Sequence, residues 1–155
     1  GIATGNGATN AGIYNNTVVG NSGDGISWSN QSGAVIRNNI LSGNGRHLDA
    51  NLDTPVTLSN NLCSNSGFGC SMVGDPRFAN PGAFDFHLLA GSPAIDAGYD
   101  LSRLGMTDFD GKPRLQGSSS DLGAFESGGS TPSDTQSPSV SIVSPVQGSI
   151  VKRLN

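Results

Sequence analysis

The sequence predicts an all-β chain wound as a single-stranded parallel β-helix, with about 22 residues per coil and a cap segment at its C-terminal end. Three observations carry this. A short motif, apolar–any–Asn–Asn–apolar or β-branched, occurs at Ile13-Tyr14-Asn15-Asn16-Thr17, Ile36-Arg37-Asn38-Asn39-Ile40 and Leu58-Ser59-Asn60-Asn61-Leu62, and its Asn pairs start 23 and then 22 residues apart. Only 34% of the 155 residues are hydrophobic and only 13% are charged, which is too little charge for a disordered acidic tail but enough apolar side chain for a narrow column. Turn residues fall between the motifs, at Gly20-Asn21-Ser22-Gly23-Asp24-Gly25 and Gly43-Asn44-Gly45.

In chain order, Gly12 to Val19 reads as a strand pair bent at Asn15-Asn16. In the second repeat Ile26 and Trp28 share one strand face, Ala34-Val35-Ile36-Arg37 is the next strand, and Asn38-Asn39 turns into Ile40-Leu41. In the third, Arg46-His47-Leu48-Asp49 takes the place of Asp24-Gly25-Ile26-Ser27, and Val56-Thr57-Leu58-Ser59 that of Ala34 to Arg37. Stacked Asn15, Asn16, Asn38, Asn39, Asn60 and Asn61 are then a structural ladder, hydrogen-bonding along the axis and to corner backbone. Cys63 and Cys70 are separated by a Ser, Asn and Gly loop, which allows a disulfide of the kind secreted proteins carry; two small buried thiols are the alternative.

After residue 74 the period stops. Phe84 to Leu88 alternates as a strand, Ser92-Pro93 to Gly98 has the punctuation of a one-turn helix, and Asp108 to Arg114 is a turn. Phe78, Phe84, Phe86, Phe109 and Phe125 gather here and suit a plug over the end of the apolar column. The chain divides into coils (1–74), last coil and cap (75–126), a Ser/Thr/Gly/Pro linker (127–138) and a tail (139–155). The opening at Gly1 reads as mid-coil, so the chain is expected to be the C-terminal piece of a longer protein with its signal peptide upstream. An uncovered N-terminal edge would then promote end-to-end self-association.

The ordered motifs Asp75-Pro76-x-Phe78, Phe86-His87-Leu88, Gly91-Ser92-Pro93-Ala94-Ile95-Asp96-Ala97-Gly98, Asp110-Gly111-x-x-Arg114 and Asp121-Leu122-Gly123-Ala124-Phe125-Glu126 resemble the C-terminal end of secreted bacterial right-handed parallel β-helix proteins, the pectate-lyase-like superfamily of choice-of-anchor Q type. The tail, from Ser139-Val140-Ser141-Ile142-Val143 onward, is similar to the start of bacterial immunoglobulin-like domains. The resemblance implies a right-handed fold, an extracellular or cell-surface location and a parent protein engaging polysaccharide. It does not select among lyases, glycoside hydrolases, epimerases and adhesins.

The residues themselves hold little chemistry. A lyase needs a base and a cation for the substrate carboxylate, but the lysines are Lys112 in the closing turn and Lys152 in the tail. A hydrolase needs two carboxylates, and Asp24, Asp49 and Asp53 all lie near turns. A complete active site is therefore not expected here; any catalytic groove lies mostly upstream. Trp28, Arg46, His47, Asp49 and Asp53 are the carbohydrate-binding candidates, with a core position for Trp28 and a solvated turn for the others as the plainer reading. Asp108-x-Asp110-Gly111 echoes the start of a calcium loop, although Ser119 stands where such a loop ends in Glu. Arg114 is expected to fasten the cap by pairing with Asp96, Asp121 or Glu126. The formal net charge of −4 without a basic patch excludes nucleic acid, and no apolar run reaches the roughly 18 residues of a membrane span. The rival reading is a non-catalytic spacer, adhesin or self-assembling fibre.

Overall fold

The structure, a computed structural model, describes residues 1–4, 9–28, 32–50 and 55–128. Asp53, Lys152, most of the linker and the immunoglobulin-like tail lie outside the described residues. Each coil supplies three short strands. The first coil has β1 (Ile2–Thr4), β2 (Gly12–Tyr14) and β3 (Thr17–Val19). The second has β4 (Asp24–Trp28), β5 (Ala34–Arg37) and β6 (Ile40–Ser42), and the third β7 (Arg46–Ala50), β8 (Val56–Ser59) and β9 (Leu62–Cys63). A short β10 (Met72–Val73) begins a partial fourth coil. Equivalent strands stack in parallel into three sheets, β1-β4-β7, β2-β5-β8 and β3-β6-β9-β10.

The register places like over like: Ile2 over Ile26 over Leu48, Ile13 over Ile36 over Leu58, and Val18 over Leu41 over Cys63. These side chains, with Trp28, form the column. One inward residue per pleat suffices, which is why a chain so poor in apolar residues has a continuous core.

The two members of each Asn pair divide the work. Asn15, Asn38 and Asn60 sit at φ of 54°, 60° and 51°, the left-handed corner that Asn tolerates better than other side chains. Asn16, Asn39 and Asn61 point inward and form the ladder. Asn16 donates from backbone N (2.9 Å) and Nδ2 (3.1 Å) to Asn39 Oδ1, and Asn39 does the same to Asn61 Oδ1 (3.1 and 3.0 Å). Each buried amide also reaches a carbonyl of the coil above, Asn39 to Ile13 and Asn61 to Ile36. A second ladder joins Asn21 to Asn44 in the glycine-rich turns (2.8 Å, Nδ2 to Oδ1).

The closing segment departs from the expectation of a plug. The third sheet is apolar on both faces: Leu41 and Cys63 point into the column, whereas Ile40 and Leu62 point outward. Ala94 and Leu122, with Phe78, Leu88, Met72 and Ala97, cover that outer face, so the segment lies along the flank of the coils. Asn60 Nδ2 bonds Ala97 O (3.0 Å), Asn38 exchanges two bonds with the Tyr99 backbone (both 2.8 Å), and Ala124 N reaches Thr17 Oγ1 in the first coil (3.0 Å). Gly123 makes this approach possible: its φ is 88°, and a Cβ there would lie 2.7 Å from Ile40 Cδ1. Phe84 and Phe109 are 83% and 79% exposed, so they are not plug residues. The end of the column is met instead by the loop between Cys63 and Cys70, where Gly69 packs against Leu48 and Leu58.

Two local expectations also change. Ser92 to Gly98 is a single turn, not a helix: Ser92 Oγ accepts from Ala94 N (3.2 Å), and the left-handed residue that ends the turn is Asp96, with φ 54°. Phe84 is not part of the strand, because it takes φ 60° after the 3-10 turn Pro81–Ala83. That turn and Phe84 connect β11 (Phe78–Asn80) to β12 (Asp85–Leu88) in an antiparallel hairpin.

Candidate functional site

Three of the predicted carbohydrate-binding residues, Arg46, His47 and Asp49, stand side by side on β7. This corrects their placement in a solvated turn: they are strand residues, and Arg46 and Asp49 are in register with Asp24 and Ser27 of the coil above. Parallel stacking puts Asp24 directly beside Arg46, which donates to it from Nε (2.7 Å) and Nη2 (3.2 Å), a fork geometry. Asp49, three residues on, lies 3.3 Å from Arg46 Nη1. The bond to Asp24 and the two carboxylate charges hold the exposed guanidinium above its ordinary pKa. Asp24 spends both oxygens and Asp49 one on this single guanidinium, so Arg46 is not free to face a substrate carboxylate.

Beside Arg46 is a cleft of about 260 Å³ lined by His47, Asn44, Asn65, Ser66 and Phe68 among others. His47 is 6% exposed, and its Nε2 hydrogen-bonds Asn65 Oδ1. With that nitrogen as donor, Nδ1 is left as an acceptor, and it is buried with no partner among the described residues. The opposite wall is the loop closed by the Cys63–Cys70 disulfide, whose Cα atoms lie 5.7 Å apart. Phe68, carried on this loop, is 44% exposed and contacts Trp28 from outside, at 6.4 Å between ring centroids. Trp28 itself is 3% exposed and belongs to the core, so it is unavailable for stacking a sugar. The aromatic of the cleft is Phe68, which the sequence reading missed along with Asn65. A large aromatic inside a short Cys-to-Cys loop was the available signal.

The closing segment holds a second set of charged groups. Arg114 is 7% exposed and donates to three carbonyls, Thr107 O (3.1 Å), Gly123 O (2.8 Å) and Ala124 O (3.1 Å). Its Nη1 lies 3.6 Å from Glu126 Oε1, so of the three predicted partners Glu126 is the one it meets, and the carbonyls hold it more closely. Glu126 receives Asp121 N on both oxygens (3.1 Å), Asp121 Oδ1 receives Asp96 N (2.8 Å), and Asp96 Oδ1 receives Ser119 N (3.0 Å). Burial pushes Glu126 up to about 7.

Asp108 and Asp110 do not converge on a cation. Asp108 spends its oxygens on Lys112 N (2.7 Å) and Glu126 N (3.0 Å), while Asp110 Oδ2 takes His87 Nε2 (3.0 Å) and Lys112 Nζ (2.9 Å). Among the described residues no group of three metal-ligating side chains occurs. A wider groove of about 600 Å³ lies along Leu88, Gly91, Ser92, Ile95 and Gly128, and among the described residues no ionisable side chain lines it.

Residues 1–78 match the family model described as the right handed beta helix region. The chain belongs to the right handed β-helix family. No curated protein and no solved structure gave a match to the chain. The right-handed β-helix match ends at Phe78, in β11, so it covers the coils and leaves most of the flanking segment outside. Among the described residues, no helix of this β-helix protein is long and apolar enough to cross a membrane.

Proposed function

We propose that the chain is the C-terminal scaffold of an extracellular β-helix protein of the pectate-lyase-like type, and that the cleft beside Arg46 binds a neutral polysaccharide. One observation carries the reading. Phe68 stands half-exposed across from Arg46 and His47 and shares with Asn65 a loop tied by a disulfide at the end of the coils. An aromatic face with hydrogen-bonding groups around it suits a sugar ring, whose C–H face is apolar and whose rim is hydroxyl. Arg46 is already shared by Asp24 and Asp49, so the cleft favours hydroxyls over uronate carboxylates. The disulfide supports an oxidising compartment. Calorimetry with cellohexaose, mannohexaose and hexagalacturonate tests this. A neutral hexaose should bind, Phe68→Ala should weaken it about tenfold, and preferential binding of hexagalacturonate would overturn the charge argument.

A second reading, a non-catalytic spacer that self-associates, is favoured by the coils, in which the ionisable side chains Asp24, Arg46 and Asp49 are already paired with one another. Sedimentation velocity over a hundredfold concentration range separates the two readings. Growth of end-to-end oligomers supports the spacer.

A further inference from the structure

On the flanking segment, away from any residue assigned above to sugar binding, three rings pack in a row, their planes at 62° (Phe109 and Phe125) and 39° (Phe125 and His87). Phe109 meets Phe125 edge-on at 5.4 Å between centroids, and Phe125 meets the His87 imidazole at 4.2 Å. Phe109 is 79% exposed. Around them stand Asp85, which accepts from His87 Nδ1 (2.6 Å), and Asp110, which accepts from His87 Nε2 (3.0 Å) and Lys112 Nζ (2.9 Å). Charged residues are only 13% of the chain, yet Asp85, His87, Asp110 and Lys112 meet here in one connected array.

The array is held from beneath. Phe109 N donates to Ala124 O (2.8 Å), Gly111 N to Asp108 O (3.1 Å), and Asp108 N to Lys112 O (2.9 Å), while the buried Asp108 carboxylate takes Lys112 N and Glu126 N. A turn fixed at this many points keeps Phe109 outward at a cost in apolar exposure. The three rings are thus presented in one arrangement before anything binds.

We propose that this ledge of Phe109, Phe125 and His87 is a second glycan-binding site, taking a neutral hexopyranose chain with one sugar stacked on the exposed Phe109 ring and hydroxyls on Asp85, Asp110 and Lys112. The proposal rests on the polysaccharide reading for the chemical class, and on separate residues for the site. The C–H face of a pyranose meets the negative face of an aromatic ring, and its equatorial hydroxyls reach groups in the ring plane. Asp85 Oδ2, Asp110 Oδ1 and two of the three Lys112 N–H bonds are not used by the array, so acceptors and donors alternate around the rings. An apolar protein partner would have to desolvate the same four groups without replacing their water bonds, whereas hydroxyls replace them. Two carboxylates offset the Lys112 ammonium and the His87 imidazolium that donates to both of them, which leaves no surplus cation for a uronate.

The test is a two-dimensional amide NMR titration of the full chain with cellohexaose and mannohexaose, repeated on Phe109→Ala and on Phe68→Ala. Phe109 is mostly exposed, so its removal leaves the fold intact, which the unperturbed amides of the coils would verify. The expected result is saturable shifts at His87, Asp110, Lys112 and Phe125 that persist in Phe68→Ala and weaken about tenfold in Phe109→Ala. Shifts confined to Asn65 to Phe68 and Arg46 to His47 overturn the ledge and leave the cleft standing. Shifts confined to the ledge uphold it and overturn the cleft. Absence of shifts at both sites overturns both. Loss of self-association in Phe109→Ala without any glycan shift makes the ledge a protein contact and overturns the glycan assignment.

Discussion

Asn38 shows how much one side chain does in this molecule. Its backbone turns the corner at φ 60°, its Oδ1 and Nδ2 hold Tyr99, and its carbonyl accepts from Gly123. Asn38→Gly keeps the corner and loses the Tyr99 bonds; Asn38→Ala loses both. The alanine variant should therefore be the less stable of the two by about 1 kcal/mol in urea unfolding, the cost of a left-handed Cβ. Equal midpoints would show that the corner geometry carries no strain. Its neighbour Asn39 is fully buried, and Asn39→Ala strands the Asn16 backbone N–H and removes a second donor from the Ile13 carbonyl, for a loss of about 3 kcal/mol by the same measurement. Arg114→Lys should also destabilise, because one ammonium cannot reach three carbonyls from the guanidinium's position; equal thermal midpoints would overturn this. At this scale the sequence was half legible. The Asn-Asn spacing revealed that the pairs matter structurally, but not that the first member turns and the second stacks, because that depends on which side chain faces the column.

At the scale of elements, the flanking segment carries the pH response. Glu126, raised by burial to about 7 from an ordinary 4.5, binds its proton more tightly when folded than when unfolded. His87, raised from 6.5 mainly by its bonds to Asp110 and Asp85, does the same. Both contributions are therefore present at low pH and lost as pH rises through the folded values. Asp85 and Asp110, lowered from 3.8 chiefly by their hydrogen bonds to His87, contribute above that value and lose it on acidification. Stability should peak near about pH 5 and fall toward pH 8. Glu126→Gln should flatten the descending limb of a thermal-midpoint profile, and a midpoint that rises from pH 5 to 8 would contradict the assignment. The disulfide loop is the other element open to test. The pair Cys63→Ala and Cys70→Ala should cost about 2–3 kcal/mol and lower glycan affinity at the cleft, since Phe68 and Asn65 ride on that loop. Strands β4, β5, β6, β8 and β9 were readable because each coil repeats one backbone task. The turn at Ser92 and the loop after Cys63 were less so, because they answer to neighbours that local residue preference does not reveal.

Taken whole, the molecule is a stack of coils with a long strip bound along its side. The stack was legible from its period. The strip's position was not: a count of phenylalanines cannot say which of them face water, and Phe84 and Phe109 do, while the cover is built from Ala94 and Leu122. Nor could the ledge be read, since it assembles Asp85 and His87 of the hairpin with Asp110 and Lys112 of a distant turn. The strip's attachments also define a load path. Ala97 is tied to the third coil through Asn60, Tyr99 to the second through Asn38, and Ala124 to the first through Thr17. Tension arriving through the chain beyond Gly128 enters just after the tie to the first coil. To unwind the stack it must break that tie and then those to the second and third coils, rather than lifting away the last coil alone. A tether fastened in this way spreads a pull across the height of the coils instead of concentrating it on the last one.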